Sequence, residues 1–343
     1  MKDILVGINY FAGWWEASPN KWHKHESCFD IEQGEDWREE FPERVPLLGC
    51  FNNQETMDKE IIAAAEHAVD FFAILWYKYN PKEPNAHFLN NGTKYFMSSE
   101  HAEKMTFFIE FCNHPPCEVR TDQQWQECLD AWSEMFKHPS YLKLGGRLVF
   151  KVHGVGHFMD QNEKDIDRCK AQLESLRETA RKATGCELVI GGGIMAPDQI
   201  GPEHPAAQLF DFTCTYADIT RIEQKKQEYP YEMLADIARA ARLNNLNAAV
   251  PYMPFLMAGW NPRPWPSEWP YFELPDRDQW ALELKRMKED LLAYPNMGIP
   301  LPDGTLQRAF NCYAWNEFGE GGIVAPTQGE QYMKLEEIKK RFG

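Results

Sequence analysis

Two glutamates stand three residues apart in the segment Trp315-Asn316-Glu317-Phe318-Gly319-Glu320-Gly321-Gly322, and the glycines at Gly319, Gly321 and Gly322 favour a tight turn. In a helix-like turn the Cβ atoms of such a pair lie on the order of 5–6 Å apart. That is close to the roughly 5 Å carboxyl separation with which a retaining glycosidase uses one acid as proton donor and the other at the sugar. On an arbitrary loop the same pair would be two solvated surface carboxylates. Its position after the last strand of the chain is what gives it chemical meaning, and two carboxyls serving one bond must then differ in protonation state.

The twelve tryptophans carry a second signal. Trp125, Trp132 and Trp280 fall within helical stripes, and the other nine lie at strand ends or in loops. Tyr10 ends the first strand and Trp14 and Trp15 follow it; Trp76 and Tyr77 end the second; Trp260 and Trp265 follow the seventh; Trp315 and Asn316 lead into the glutamate pair. An aromatic face with a polar edge suits the CH faces and hydroxyls of a sugar ring. Any one of these rings reads equally well as a hydrophobic cap, but as a set converging on one face they point to a carbohydrate cleft. Polar side chains accompany them: Glu110 and Asn113 after strand three, Lys151 and His153 after strand four, Tyr216 and Asp218 after strand six, and Arg263 after strand seven.

These residues are held by an alternation of elements. Apolar or β-branched runs recur at Ile4 to Tyr10, Val69 to Trp76, Thr106 to Cys112, Arg147 to Val152, Cys186 to Gly191, Phe210 to Thr215, Ala248 to Pro254 and Ala309 to Trp315. Between them lie helical stripes. Trp125, Cys128, Leu129, Trp132, Met135 and Phe136 form one, opened by a Thr121-x-x-Gln124 capping box. Others are Ile61 to Ala68, Ile166 to Ala180, Met233 to Leu243, Trp280 to Leu291 and Gln331 to Arg341. Ser98 to Lys104 and Asp198 to Gln208 hold at most a turn of helix on this pattern. Eight strand–helix units with right-handed crossovers close most naturally into an α/β (β/α)8 barrel, here a single domain over residues 1–343, whose chemistry sits at the C-terminal strand ends. A doubly wound open sheet is the alternative, and no GxGxxG or Walker sequence follows the first strand to support it.

Composition removes several partner classes. Thirty-six basic residues against 52 acidic ones give a formal charge of −16, which repels phosphate backbones and anionic lipid, so neither nucleic acid nor a membrane is an expected partner. No apolar run approaches the roughly 18 residues that span a bilayer, and no signal pattern opens the sequence. As written the chain reads as soluble and cytoplasmic; trimmed from a precursor it would be periplasmic or secreted. Nine scattered cysteines without a CxxC read as buried thiols. His23 and His25, with Cys28 nearby, superficially offer an HxH metal pair, but they come about a dozen residues after strand one, too late for a barrel metal site, so no metal is expected. Gly191-Gly192-Gly193 reads as a flexible bend and not as a phosphate loop. No GxSxG or catalytic cysteine pattern is present.

Ala314-Trp315-Asn316-Glu317-Phe318-Gly319-Glu320-Gly321 resembles the WNEWxEG signature of the endo-α-mannosidase family, glycoside hydrolase family 99, and its WbsX-like relatives. Arg44 to Gly49, Asp70 to Tyr77 and Ala258 to Pro264 are similar to further blocks of that group, in the expected order. The resemblance implies a cofactor-free barrel and a retaining mechanism. In it Glu317 removes the proton of the sugar 2-hydroxyl, which displaces the leaving group to form an anhydrosugar, and Glu320 acts as acid and then as base. Phe318 and Gly319 depart from the Trp and His of that pattern, which bears on α-mannoside specificity and leaves the carboxylates intact. A glycoside hydrolase, a glycan-assembly transferase and a non-catalytic sugar-binding barrel are the three functions compatible with these residues. The sugar, the linkage and the oligomeric state are not written in the sequence.

Overall fold

The computed structural model describes residues 2–18, 20–23, 35–79, 86–194, 204, 209–217, 225–265 and 268–343. Eight strand positions alternate with helices. In chain order they are β1 (Ile4–Tyr10), α1 (Gln54–Glu66), β2 (Phe71–Tyr77), α2 (Asn91–Ser98), β3 (Thr106–Cys112), α3 (Asp122–Phe136), β4 (Arg147–Val152), α4 (Val155–Gln161), α5 (Ile166–Thr184), β5 (Leu188–Gly193) and β6 (Phe212–Cys214). There follow α6 (Tyr231–Asn244), β7 in two segments (Tyr252–Met253 and Phe255–Met257), α7 (Arg277–Ala293), β8 (Leu306–Tyr313) and α8 (Met333–Phe342).

The strands pair in parallel and in sequence order, and β1 lies between β2 and β8. The sheet closes through β7. Its first segment pairs with β6 (Thr213 opposite Tyr252) and its second with β8 (Phe255 opposite Asn311), with Pro254 between. A proline has no N–H to give a ladder, so the strand changes neighbour where that donor is missing. The Pro254 carbonyl still accepts from Asn311 N at 3.0 Å. The result is the α/β (β/α)8 barrel expected from the alternation.

The strands are buried on both faces, between a filled barrel interior and the helix layer, as parallel sheets are. The Thr121 to Gln124 capping box forms as expected at the start of α3. Two helices are additional to the stripes in the sequence, α2 and the short α4. In α2 the face toward the barrel carries Gly92, where a Cβ would meet the Tyr10 ring and Ala12 at 2.8–3.0 Å, so close packing needed a residue that weakens the helical pattern. The segment Asp198 to Gln208 lies outside the described residues except for His204. Among the described residues no helix is long and apolar enough to cross a membrane.

Candidate active site

After β8 the chain forms a small hairpin in which Asn316 and Glu317 pair with Ile323 and Gly322. The turn between them is one hydrogen-bonded loop, with Glu320 N and Gly321 N both donating to the Glu317 carbonyl at 3.1 and 2.8 Å. Gly321 has φ of +78°, a value glycine adopts without strain. The turn is fastened to the loop after β7. Asn261 N donates to the Glu320 carbonyl at 2.6 Å, and buried Arg44 donates to the carbonyls of Asn261 and Phe318 at 2.8 and 3.3 Å. Gly259 lies so near that a Cβ there would sit 2.3 Å from the Gly321 carbonyl oxygen. On the other side Asn316 clamps Phe11, accepting from its N–H at 2.8 Å and donating to its carbonyl at 2.9 Å, while Trp14 Nε1 donates to the Asn316 carbonyl.

Each glutamate receives a hydrogen bond from its own tyrosine. Tyr216 donates to Glu317 Oε1 at 2.5 Å and Tyr313 donates to Glu320 Oε2, and the two phenol rings stand edge to face, 5.1 Å between centroids. Glu317 is buried and Glu320 is the more open of the two. Burial, then the Glu320 charge, pushes the Glu317 carboxyl up to about 8 against the Tyr216 hydrogen bond. Burial raises Glu320 as well, opposed by Tyr313 and by the charge of buried Lys21. The pair therefore keeps a proton at neutral pH. A site with Glu317 ionised and only Glu320 raised, as the roles implied in the sequence required, is not what this geometry favours.

Beneath the pair lies a charged cluster inside the barrel. Fully buried Glu110 meets Lys151 Nζ at 2.7 Å, His153 Nδ1 at 2.6 Å and Asn9 Nδ2 at 2.7 Å. Burial acts to raise the Glu110 carboxyl, but the Lys151 charge and the His153 hydrogen bond outweigh it and hold the group below its ordinary value. Ionised Glu110 thus orients the His153 ring, which packs edge-on against Tyr216 at 5.0 Å. Asn113 exchanges hydrogen bonds with the backbone of Gly154 at 2.9 Å in both directions and so fixes the turn after His153.

Around the mouth the rings join into an arc. Phe11, Tyr77, His114, His153, Tyr216, Tyr313 and Trp260, from the ends of β1, β2, β3, β4, β6, β8 and β7, touch in that order with centroids 5.0–6.3 Å apart. Trp14 extends it to Phe318 in the turn between the two glutamates. Arg263 stands at the rim, its guanidinium over Tyr271 at 4.4 Å.

Three expected substrate contacts face the other way. Trp76 packs on Trp132 of α3 and on Phe111, because successive strand residues point to opposite faces and Tyr77 takes the inner one. Tyr10 is outward for the same reason, donating to Glu60 of α1 at 2.6 Å. Trp315 reaches the same carboxylate with Nε1 at 2.9 Å and packs on Phe72. Trp15 is spent on a stack with Phe88. In return, Phe11, Lys21, His114 and Tyr313 lie around the pair and were not singled out in the sequence, while Phe318, noted there as a departure from the resembled signature, packs on Trp14. Tyr313 was the readable one, the last residue of β8 and two positions on from the inward Asn311, hence on the same face.

Asp218, His25 and Cys28 lie outside the described residues, and among the described ones no three His, Cys, Asp or Glu side chains are placed to hold a metal ion. Gly191 to Gly193 are not a bend but the end of β5. Side chains there would meet Phe212, Phe210 and, at 1.7 Å, the His153 carbonyl.

No family model and no curated protein sequence matches the chain. Solved structures do share its fold. A glycoside hydrolase-like protein superposes with a TM-score of 0.64 at 13% identity, covering 100% of this chain and 94% of the other. The GH99 endo-α-mannosidase from Bacteroides thetaiotaomicron does so with a TM-score of 0.57 at 14% identity, covering 98% and 95%. An exo-β-1,4-mannosidase from an Opitutaceae bacterium gives 0.50 at 10% identity, covering 99% of this chain and 60% of that one. The chain therefore shares the (β/α)8 barrel fold of these structures.

Proposed function

We propose that the chain is a single-domain glycoside hydrolase whose Glu317 and Glu320 cleave a glycosidic bond with retention, through the sugar 2-hydroxyl. The observation that carries this reading is the pair itself: two buried or half-buried carboxyls in one turn, each hydrogen-bonded to its own tyrosine and keeping a proton between them. A bound sugar redistributes that proton. A 2-hydroxyl donating to Glu317 favours its anion, and the glycosidic oxygen, an acceptor, favours the protonated form of Glu320. In the first step the 2-hydroxyl proton passes to Glu317 and its oxygen bonds to the anomeric carbon. The bond to the leaving oxygen breaks, and that oxygen takes the proton of Glu320. In the second, water attacks the anomeric carbon and gives a proton to Glu320, while the 2-oxygen departs and recovers its proton from Glu317. The greater openness of Glu320 suits the carboxyl that must meet water. Aromatic walls at Tyr77, Trp14 and Trp260, with hydroxyl partners at His153 and Arg263, support a neutral or mildly polar sugar as substrate.

The test is release of reducing ends from a panel of plant, fungal and bacterial glycans by the wild type and by Glu317→Gln and Glu320→Gln. Loss of a positioned acid or base removes on the order of 10²- to 10⁴-fold in rate. Glu320→Gln should lose this on the glycan and less on an activated aryl glycoside, which needs no proton, whereas Glu317→Gln should lose it on both. Near-wild-type turnover by both variants would refute the reading. Cleavage of a 2-deoxy substrate would leave the pair in place and replace the anhydrosugar with direct carboxylate attack.

A further inference from the structure

The catalytic turn has a neighbour that the acid and base do not account for. At Gly319, one residue before Glu320, a Cβ would fall 2.6, 2.8 and 3.0 Å from Cζ2, Cε2 and Nε1 of Trp265. The missing side chain of Gly319 is thus replaced by an indole from another loop. That indole is only half-buried, so the edge on Gly319 is covered while part of the ring remains open. Its loop is stiff. Pro262 and Pro264 fix two backbone angles, and Trp265 N closes a turn on the Pro262 carbonyl at 2.9 Å. The same loop is bonded to the catalytic turn through Asn261 and Arg44, so Trp265 keeps its place relative to Glu320.

The geometry points to Trp265 as the wall of the leaving-group subsite, where its indole stacks on the pyranose ring that departs with the proton of Glu320. This rests on the glycosidase reading and extends it from the bond that is cut to the sugar on its far side. The ligand class is a neutral pyranose presenting a CH face, since an indole offers apolar area and no charge to meet an anionic substituent. A rigid, preset platform loses little freedom on binding, so the contact favours a sugar leaving group over a small one.

The experiment compares two substrates of the same glycone: the glycan cleaved in the screen above, which has a leaving sugar, and the corresponding glycosyl fluoride, which has none. Trp265→Ala should lower kcat/KM on the glycan about 10- to 30-fold, the scale of one lost aromatic stack with its burial, and change the fluoride less than about threefold. Trp265→Phe should retain most of the glycan activity. Gly319→Ala, which pushes the indole aside without removing it, should reproduce the selective loss. Equal losses on both substrates would mean that the indole merely supports the turn, and no loss on either would remove it from the site; both overturn the assignment. If the wild type cleaves neither substrate, the glycosidase reading falls and this one with it. If Glu317→Gln and Glu320→Gln are inactive while Trp265→Ala keeps the wild-type preference, only the subsite is refuted.

Discussion

Replacing Glu60 by glutamine should make the stability of the protein less dependent on pH, and the size of the effect follows from the structure. Glu60 lies between α1 and the barrel, accepting from Tyr10 at 2.6 Å and from Trp315 Nε1 at 2.9 Å. Burial outweighs these two bonds and raises its carboxyl from the ordinary 4.5 to about 7. The folded protein therefore binds this proton more readily than the unfolded chain does. Below about pH 4.5 the group is neutral in both states and costs nothing. Between there and about pH 7 the unfolded chain ionises it first, so stability falls as pH rises, and above that the penalty is constant. At about 1.4 kcal/mol per pH unit, the interval corresponds to about 3 kcal/mol lost by the wild type. A glutamine keeps the shape and an acceptor for Trp315 without titrating. Urea unfolding at pH 5 and pH 8.5 measures this as a difference between proteins, which cancels the other groups that titrate in the window. The variant should gain about 2 to 3 kcal/mol on the wild type across that range. A difference that stays constant with pH would refute the reasoning, because Glu60 would then be ionised in the folded protein like an exposed acid.

Since the glutamate pair must keep one proton, kcat/KM for the glycan should fall as pH rises through about 8, and the residual activity of Glu317→Gln should keep an alkaline limb because Glu320 must still give its proton; a rate flat to pH 10 would contradict it. Tyr216→Phe removes the hydrogen bond that favours the Glu317 anion, so the alkaline limb should move to higher pH while the rate falls on the order of tenfold, as a pH profile of the variant would record. Arg44→Met leaves the Asn261 and Phe318 carbonyls without their buried donor and should cost about 2–4 kcal/mol in urea unfolding. A cost below about 0.5 kcal/mol would show that the turn does not depend on it.

The barrel was legible because its units repeat two local signals, short β-branched runs and helical stripes such as the one from Trp125 to Phe136. The glutamate pair was legible because glycines announced its turn. Which ring faces the cleft was not. In Phe71–Tyr77 every residue is apolar, so nothing in the composition says that Tyr77 points inward and Trp76 toward α3. The partners of the pair were beyond reach for another reason: Tyr216 and Glu317 are 101 residues apart, and only closure of the barrel joins them. Lys21 belongs to no periodic pattern at all. The protonation of Glu317 depends on how deep its hairpin sits, a property of packing that spacing along the chain does not contain.

The arc of rings around the mouth has a consequence for how such a protein can change. Its members lean on one another from strand to strand, and two of them, Tyr216 and Tyr313, are also the donors that set the acid strength of the glutamates. For the proposed glycosidase, selectivity and pH optimum are thus inherited together. Enlarging or shrinking one ring to admit a different sugar tilts its neighbour and, through the tyrosines, retunes the acid. Divergence toward a new glycan would therefore proceed by paired substitutions in adjacent rings, and a lone exchange would meet its penalty in proton transfer before it gained anything in recognition.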